Sequence, residues 1–395
     1  MATTASTTGN ADRRLYAPYL EATWGIKNHW YPALFSHELA EDGVKGVEIA
    51  GVPILLRRAK GRTYALLDRC VHRGVKLSLK PTCFTDDTVS CWYHGFTFDV
   101  VNGALVSIVA SPDDPLIGKV RLRTFPVEEH KGIIFVFVGD EGYEPVPPLA
   151  DDLPWLPPCD YDYRAAHPLD DETVMLDIRR VGKANWRLAV ENGFDPGHVL
   201  IHRDNILILA SGRSMALGYR PLNDEAIKAF EDDGPKGLMN MYGTGNYEPV
   251  VNNDRLNIKS AARREFNFTG VRTSMFLPGV LMVENFPEKT YAQYEWYVPI
   301  DDKTHVYWQV IAGWCPTPED RKNFEFRFKH YFEPVALRDF NDHDLHAREA
   351  MQDFYANGGW QEEALCSMDA VIVSWRKMVA RHNRGIQEPP TRRGR

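Results

Sequence analysis

The residues that most restrict what this chain can fold into are Cys70-x-His72 and, eighteen residues further on, Cys91-x-x-His94. Each pair offers one thiolate and one imidazole, so two loops at the tips of neighbouring hairpins must close over one centre. Two soft and two borderline donors suit a two-iron, two-sulfide cluster in which two Cys hold one iron and two His hold the other. Imidazoles in place of two thiolates raise the reduction potential above that of an all-Cys plant-type ferredoxin. The alternative is a structural zinc ion, since Cys and His in fours also bind zinc. Zinc fingers usually pair Cys with Cys and His with His, whereas this chain interleaves them.

The flanking residues agree with hairpins. Arg62 to Leu67 and Val89 to Tyr93 are short runs of β-branched, aromatic and aliphatic residues, each leading into a ligand pair. Gly74 and Gly95 follow the two His ligands, where a tight loop needs a backbone free to turn. Cys83, Cys159, Cys315 and Cys366 share no spacing pattern and are expected to be small buried hydrophobes.

A second metal signature lies in Asn185-Trp186-Arg187-Leu188-Ala189-Val190-Glu191-Asn192-Gly193-Phe194-Asp195-Pro196-Gly197-His198-Val199-Leu200-Ile201-His202. His198 and His202 stand four apart, so a helix would project both imidazoles from one face. Asp195-Pro196 reads as the N-cap and first-turn proline of that helix. Two His and a carboxylate form the face typical of mononuclear non-haem Fe(II) oxygenases, which leaves the opposite positions open. His29, His305 and the remaining histidines read as packed or solvated side chains.

With 395 residues, 44% of them hydrophobic, the chain can bury a core large enough for two lobes. A net charge of −8 without a dense basic stripe argues against a nucleic-acid partner. No apolar run nears the roughly 20 residues of a membrane span. Ile133 to Val138, the densest apolar run, suits a buried strand. Metal-type Cys spacing and the lack of a secretion signal point to a reducing cytoplasm. The expected domains are a tail and helix over 1–29, a cluster domain over 30–150 and a catalytic domain over 151–395. Residues 15–40 read as a helical lead-in, and 45–140 as strands with turns at Gly51-Val52-Pro53, Lys60-Gly61 and Asn102-Gly103. Glu141 to Pro158, rich in Pro and acidic residues, reads as the crossing between domains. Strands over Ala292–Val298 and Val306–Ile311 suggest an antiparallel sheet, followed by helices over 319–335, 343–356 and 361–382. Residues 211–256 read as a cover for the active site, and the ends, Met1 to Arg14 and from Gly385 onward, as tails.

Together C-x-H…C-x-x-H and N-x-x-D-x-x-H-x-x-x-H resemble the α subunit of Rieske non-haem iron aromatic-ring hydroxylating oxygenases, over about Asn28 to Arg381. Asn28-His29-Trp30-Tyr31-Pro32, the stretch Asn185 to His202 and Ala347-Arg348-Glu349-Ala350-Met351 are similar to the carbazole-oxygenase subgroup. The resemblance implies an α+β protein: a small all-β Rieske domain and a catalytic domain of helix-grip (START-like) type, an antiparallel sheet flanked by helices. It implies one 2Fe-2S cluster on Cys70, His72, Cys91 and His94, and one mononuclear Fe(II) per subunit on His198, His202 and a carboxylate. Family spacing selects Asp344 for that carboxylate, with Asp342 as the fallback. By the same resemblance Asp195 joins His198 to His94 across a subunit boundary, and Asn192 lies near the iron as a distant or water-mediated ligand. Gly193, Thr273, Phe276, Phe286 and Gln293 lie on segments that resemble pocket walls, with the Gly193 carbonyl accepting a substrate N–H. Thr273 and Phe276 depart from the residues expected in proteobacterial carbazole oxygenases, which leaves the substrate range open.

The implied partners are a ferredoxin, its NAD(P)H-dependent reductase and a carbazole-like substrate, in a homotrimer whose electron path crosses between neighbours. The expected reaction is angular (1,9a) dioxygenation of carbazole to 2'-aminobiphenyl-2,3-diol with dioxygen as co-substrate. A Rieske monooxygenase or O-demethylase would use the same ligands, because substrate placement decides how many oxygen atoms reach the product. A non-enzymatic electron carrier would need only the first motif.

Overall fold

The structure, a computed structural model, describes residues 15–154, 168, 170–195, 197–202, 205–207, 239–240, 273–284, 286–288, 290–366 and 369–390. They divide into two compact units, one of residues 24–149 with the C-terminal end from 387, the other of residues 150–386 with the first 23. The segments 1–14 and 391–395, Cys159 and all of 211–256 except Met239–Asn240 lie outside the described residues.

The unit 24–149 is all β apart from short 3₁₀ turns. Strands β1 (His29–Phe35), β9 (Val127–His130) and β10 (Ile133–Val138) form one sheet in the order β1-β10-β9. All six residues of β10 are buried, as a central strand covered on both faces requires. Strands β2 (Val44–Ile49), β3 (Val52–Ala59), β4 (Arg62–Leu67) and β8 (Thr124–Phe125) form a second sheet. Strands β5 (Thr88–Ser90), β6 (Phe96–Asp99) and β7 (Leu105–Ile108) form a third. Leu55, Leu66, Leu77, Phe98 and Leu105 pack into one core that also takes in Cys70 and Cys91. Both thiols are thus held by the packing of the hairpins that carry them.

A continuous helical lead-in over 15–40 does not form. Helix α1 (Ala17–Glu21) is short, with Pro18 in its first turn, and β1 begins at His29. Trp30, Tyr31, Pro32 and Phe35 favour extended chain, and all of β1 is buried.

The second unit is an antiparallel sheet with helices laid on it. Its strands are β11 (Thr173–Gly182), β12 (Met239–Asn240), β13 (Thr273–Phe276), β14 (Val280–Glu284), β15 (Ala292–Pro299) and β16 (His305–Trp314), in the order β11-β16-β15-β14-β13-β12. Helix α2 (Trp186–Phe194) lies against β13, β14 and β15 and is buried at every position but Gly193. Asn185 caps it: its oxygen accepts the Arg187 N–H, while its amide donates to the Thr23 and Asp302 carbonyls at 2.8 and 2.9 Å. The helices after the sheet differ from two separate ones. Helix α3 (Pro318–Arg327), capped reciprocally by Thr317 and Asp320, runs without a break into a π-wound stretch, Phe328–Phe340, and on into α4 (Asn341–Ala356). Pro334 sits inside the wide turns, where it removes one N–H from the ladder. The last expected helix is two, α5 (Gly359–Glu362) and α6 (Ala370–His382).

Candidate metal centres and active site

The two cluster loops are built alike. Cys70 N–H donates to the Val75 carbonyl and Gly74 N–H returns to the Cys70 carbonyl; Cys91 N–H donates to Phe96 and Gly95 N–H returns to Cys91. Gly74 and Gly95 take φ of +71° and +70°, the left-handed turn that a side chain disfavours. Burial pushes the Cys70 thiol up to about 11, opposed by the backbone N–H groups of His72 and Arg73 aimed at its sulfur and reinforced by Cys91 beside it. A thiol so placed is ionised by a metal rather than by water. The His72 and His94 rings stand 4.6 Å apart with their Nδ1 atoms 3.1 Å from each other. His72 stacks on Phe96 at 4.8 Å. The four donors therefore form a thiol pair and an imidazole pair. Among the described residues, the group of three donors that all lie within 4.8 Å, as one ion requires, is a different one. Two pairs that do not converge on one point fit two irons and not a single zinc ion.

That other group is His198, His202 and Asp344. The segment His198–His202 is a 3₁₀ turn, not an α-helix, and Asp195 closes α2 instead of opening a new helix. Its carboxylate still accepts the Gly197 N–H at 2.6 Å, so the capping chemistry is kept while the turn winds tighter. His198 donates from Nδ1 to the Asp195 carbonyl, which leaves Nε2 as a lone pair 3.5 Å from Asp344 Oδ1. His202 Nε2 lies 3.4 Å from the same oxygen. Among the described residues, neither ring nitrogen of His202 nor Asp344 Oδ1 has a hydrogen-bond partner, and His202 is fully buried. Three donors that converge on one point, His198 half-buried and His202 and Asp344 buried, fit a cation, and two His with one carboxylate fit Fe(II). Burial alone would raise the Asp344 carboxyl, but His202, His198 and Arg348 outweigh it and hold it well below the usual carboxylate range. Asp342 is exposed and pairs with Arg180, so the structure separates the two candidate carboxylates.

The surroundings fix the triad. The His202 ring lies parallel to Phe340, with centroids 3.7 Å apart. His343 donates from Nδ1 to the Ile201 carbonyl at 2.9 Å, tying α4 to the turn that carries both histidines. Asp195, Asn192 and His198 line a cavity of about 260 Å³. Burial pushes the Asp195 carboxyl up, with Asp369 adding to it and His198 and the Gly197 N–H opposing. Asn192 does not turn its oxygen to the triad: Oδ1 accepts from Arg348 Nε at 2.6 Å. The Arg348 guanidinium thus occupies one lone pair of the Asn192 oxygen, which was expected near the iron as a distant or water-mediated ligand.

Of the expected pocket residues, Gly193 sits in the last turn of α2, where carbonyls lack intrahelical partners. A Cβ there would stand 2.1 Å from the Tyr297 hydroxyl, so the position demands glycine. Thr273 and Gln293 share one face of the sheet, joined across Val283. Phe276, three residues after Thr273, falls on the opposite face by strand alternation and is buried there. It leaves the pocket wall for the core. Phe286 stands 5.3 Å from Phe340, the ring stacked on His202.

The sequence reading missed a buried polar layer behind the triad. Glu295 accepts from Gln293 Nε2, from Tyr297 Oη and, at 2.9 Å, from Asn341 Nδ2. Arg348, 1% exposed, approaches Glu295 to 3.8 Å and lies over the Tyr297 and Tyr307 rings at 5.0 and 4.4 Å. The signal was legible: Arg348 follows Asp344 by four on α4, and Glu295 and Tyr297 follow Gln293 in steps of two on β15. Elsewhere Cys83 and Cys315 are half-buried and Cys366 is exposed, so these three thiols are not the fully buried residues expected. His305 is a packed side chain, donating from Nδ1 to the Ala184 carbonyl at 2.7 Å.

Comparison with known proteins gives this geometry a family. Residues 29–126 match the Rieske [2Fe-2S] domain and residues 137–387 the homotrimeric ring hydroxylases. The chain is 41% identical to the carbazole 1,9a-dioxygenase terminal oxygenase component CarAa of Metapseudomonas resinovorans, over 94% of each. It is similar in structure to the 2-oxoquinoline 8-monooxygenase component, with a TM-score of 0.89 and 47% identity over 98% of this chain and 93% of that one. The terminal oxygenase of carbazole 1,9a-dioxygenase from Nocardioides aromaticivorans IC177 follows with a TM-score of 0.81 and 38% identity, over 95% of this chain and all of that one (100%). Such oxygenases carry a Rieske cluster and a mononuclear iron and use dioxygen. The chain belongs to the homotrimeric ring hydroxylases, as a Rieske oxygenase acting on aromatic rings.

Proposed function

We propose that this chain is the terminal oxygenase component of a multicomponent system that hydroxylates a nitrogen-bearing polycyclic aromatic, with angular dioxygenation of carbazole as the reaction. The observation that carries it is the convergent triad His198, His202 and Asp344, one turn from the helix end whose Gly193 carbonyl has no intrahelical partner. Bound at their sites, the cluster and the iron supply one-electron transfer and dioxygen activation. Cys70, Cys91, His72 and His94 hold the cluster, and His198, His202 and Asp344 hold the iron. Asp195 keeps His198 in one tautomer through its carbonyl and, through its carboxylate, joins it to the Rieske imidazole of a neighbouring subunit. Phe286 and Phe340 give the pocket an apolar wall beside His202. The Gly193 carbonyl accepts the ring N–H and so turns the adjacent carbon toward the iron. A ferredoxin is the electron donor, as in the oxygenase–ferredoxin complexes of carbazole 1,9a-dioxygenase.

Monooxygenation of a ring lactam is a second reading, favoured by the 47% identity to the 2-oxoquinoline 8-monooxygenase component. A single turnover of the reduced, iron-loaded protein under labelled dioxygen separates the two. Two labelled oxygens in a ring-opened aminobiphenyl diol are expected from carbazole. One labelled oxygen in a hydroxylated 2-oxoquinoline, with carbazole untouched, overturns the first reading in favour of the second. Among the described residues no helix is long and apolar enough to cross a membrane.

A further inference from the structure

Glu295 is buried at 4% exposure, yet it neither reaches the triad nor forms a close ion pair. Its oxygens are instead an assembly point for donors: the Gln293 amide, the Tyr297 hydroxyl, the Asn341 amide and, more distantly, Arg348. That convergence suits a carboxylate, which only accepts. The consequence falls on Gln293. A glutamine amide can face either way round, and neighbours decide which end points where. Because Glu295 takes the nitrogen, the carbonyl oxygen must face the other way, and Gln293 Oε1 is buried without a partner among the described residues. The same Glu295 oxygen accepts from Asn341, three residues before Asp344. The Gln293 amide is therefore tethered to the turn of α4 that carries the metal carboxylate. Buried acceptors are seldom left unpaired, and this one has its orientation imposed on it.

We propose that Glu295 is a positioning residue that sets the polarity of Gln293, so that the ligand pocket presents a fixed side-chain acceptor and selects rings bearing an N–H or O–H donor over isosteres with oxygen at that place. This rests on the reading of Gln293 as part of the pocket wall. The Gly193 carbonyl is an acceptor whatever its surroundings. Gln293 could be donor or acceptor, and its partner decides. Arg348 does the converse to Asn192, holding its oxygen, so the buried pair orients two amides in opposite senses. A neutral group at position 295 would hold Gln293 in place without dictating which end faces the ligand.

The test uses the holoenzyme and two ligand pairs in which oxygen replaces ring N–H: carbazole with dibenzofuran, and 2-oxoquinoline with coumarin. Dissociation constants and product formation are measured for the wild type, Glu295→Gln and Gln293→Leu, with iron content as the check on the site. The wild type is expected to favour the N–H member of at least one pair by about tenfold or more. Glu295→Gln should lower that ratio severalfold, leaving only the part that the Gly193 carbonyl supplies. An unchanged ratio in an iron-loaded Glu295→Gln protein overturns the proposal, as does a wild type with no preference in either pair. Should Glu295→Gln not fold, Gln293→Leu decides: the preference must fall with the acceptor, and its persistence rejects the idea. Failure of the functional reading looks different. A preference in binding without oxygenated product from any of the four keeps Gln293 polarised and rejects the substrate class, whereas product from both members of a pair without preference does the reverse.

Discussion

The two metal centres of this chain share imidazole donors and are held by opposite means. The cluster ligands come from two hairpin loops that repeat one hydrogen-bond pattern, with buried thiols and with His72 exposed at the surface. The iron triad comes from a 3₁₀ turn and from a helix some 140 residues later, and apart from the Asp195 carbonyl on His198 its supports are tertiary: Phe340 under His202, His343 on the Ile201 carbonyl, Arg348 and Glu295 behind. The first centre is specified locally and can be read as a motif. The second is over-determined by a buried polar layer, and damage at a distance should reach it.

The sharpest break of that comparison is Asp344→Ala. It should abolish oxygenation and lower iron from about three to about two per chain, with the Rieske absorption and resonance spectra unchanged. Loss of both centres together would mean they are not separately specified. Next is Asp195→Asn, which removes the carboxylate proposed to link the centres. It should slow Rieske oxidation in the presence of substrate and oxygen by about 10- to 100-fold with both metals bound, as rapid-mixing spectroscopy would show. Arg348→Met strips the cation from the buried layer and leaves Glu295 and Asp344 uncompensated. Denaturant unfolding should register a loss of about 3–5 kcal/mol and iron content should fall, while the cluster stays. If stability were untouched, the layer would not be what supports the triad.

Smaller effects refine the contrast between buried and exposed imidazoles. Burial holds His305 down at about 3, with the Ala184 carbonyl opposing, whereas an unfolded His titrates near 6.5. The unfolded state therefore takes up a proton first as the pH falls. Stability attributable to this residue is complete above about pH 6.5 and is lost toward pH 3 at about 1.4 kcal/mol per unit. Between about pH 6.5 and 5 His305→Gln should flatten the stability profile, and an unaltered slope would count against a neutral buried ring. Last, Gly193→Ala should cost about 1–3 kcal/mol by displacing the Tyr297 hydroxyl. A crystal structure of that variant would show whether the Glu295 cluster moves with it.

Much of this was legible from residue types and spacing. The cluster loops are local: the ligands lie within 25 residues of each other, and Gly74 and Gly95 mark their turns. The sheet of the second unit followed from alternation in β15 and β16. What failed did so for want of long-range contacts. His198 and His202 were spaced for an α-helix, but the Asp195 turn winds the segment as 3₁₀, and residues four apart still converge because Asp344 faces both. Phe276 is expected in the pocket because its segment resembles a pocket wall, yet strand alternation turns it to the face opposite Thr273 and Gln293.

By itself the sequence determined the donor set of each centre, the order of the two domains and the antiparallel sheet, because ligand type, hydrophobic period and turn chemistry act over a few residues. Residue chemistry could not choose between Asp344 and Asp342, two residues apart and alike, and family spacing favoured Asp344; the tertiary structure adds the physical reason, because α4 carries Asp344 into the core beside His198 and His202 and leaves Asp342 outside with Arg180. The tertiary structure alone decided which end of Asn192 and of Gln293 faces out, since an amide has no polarity of its own until a cation or an anion from another strand or helix takes one end.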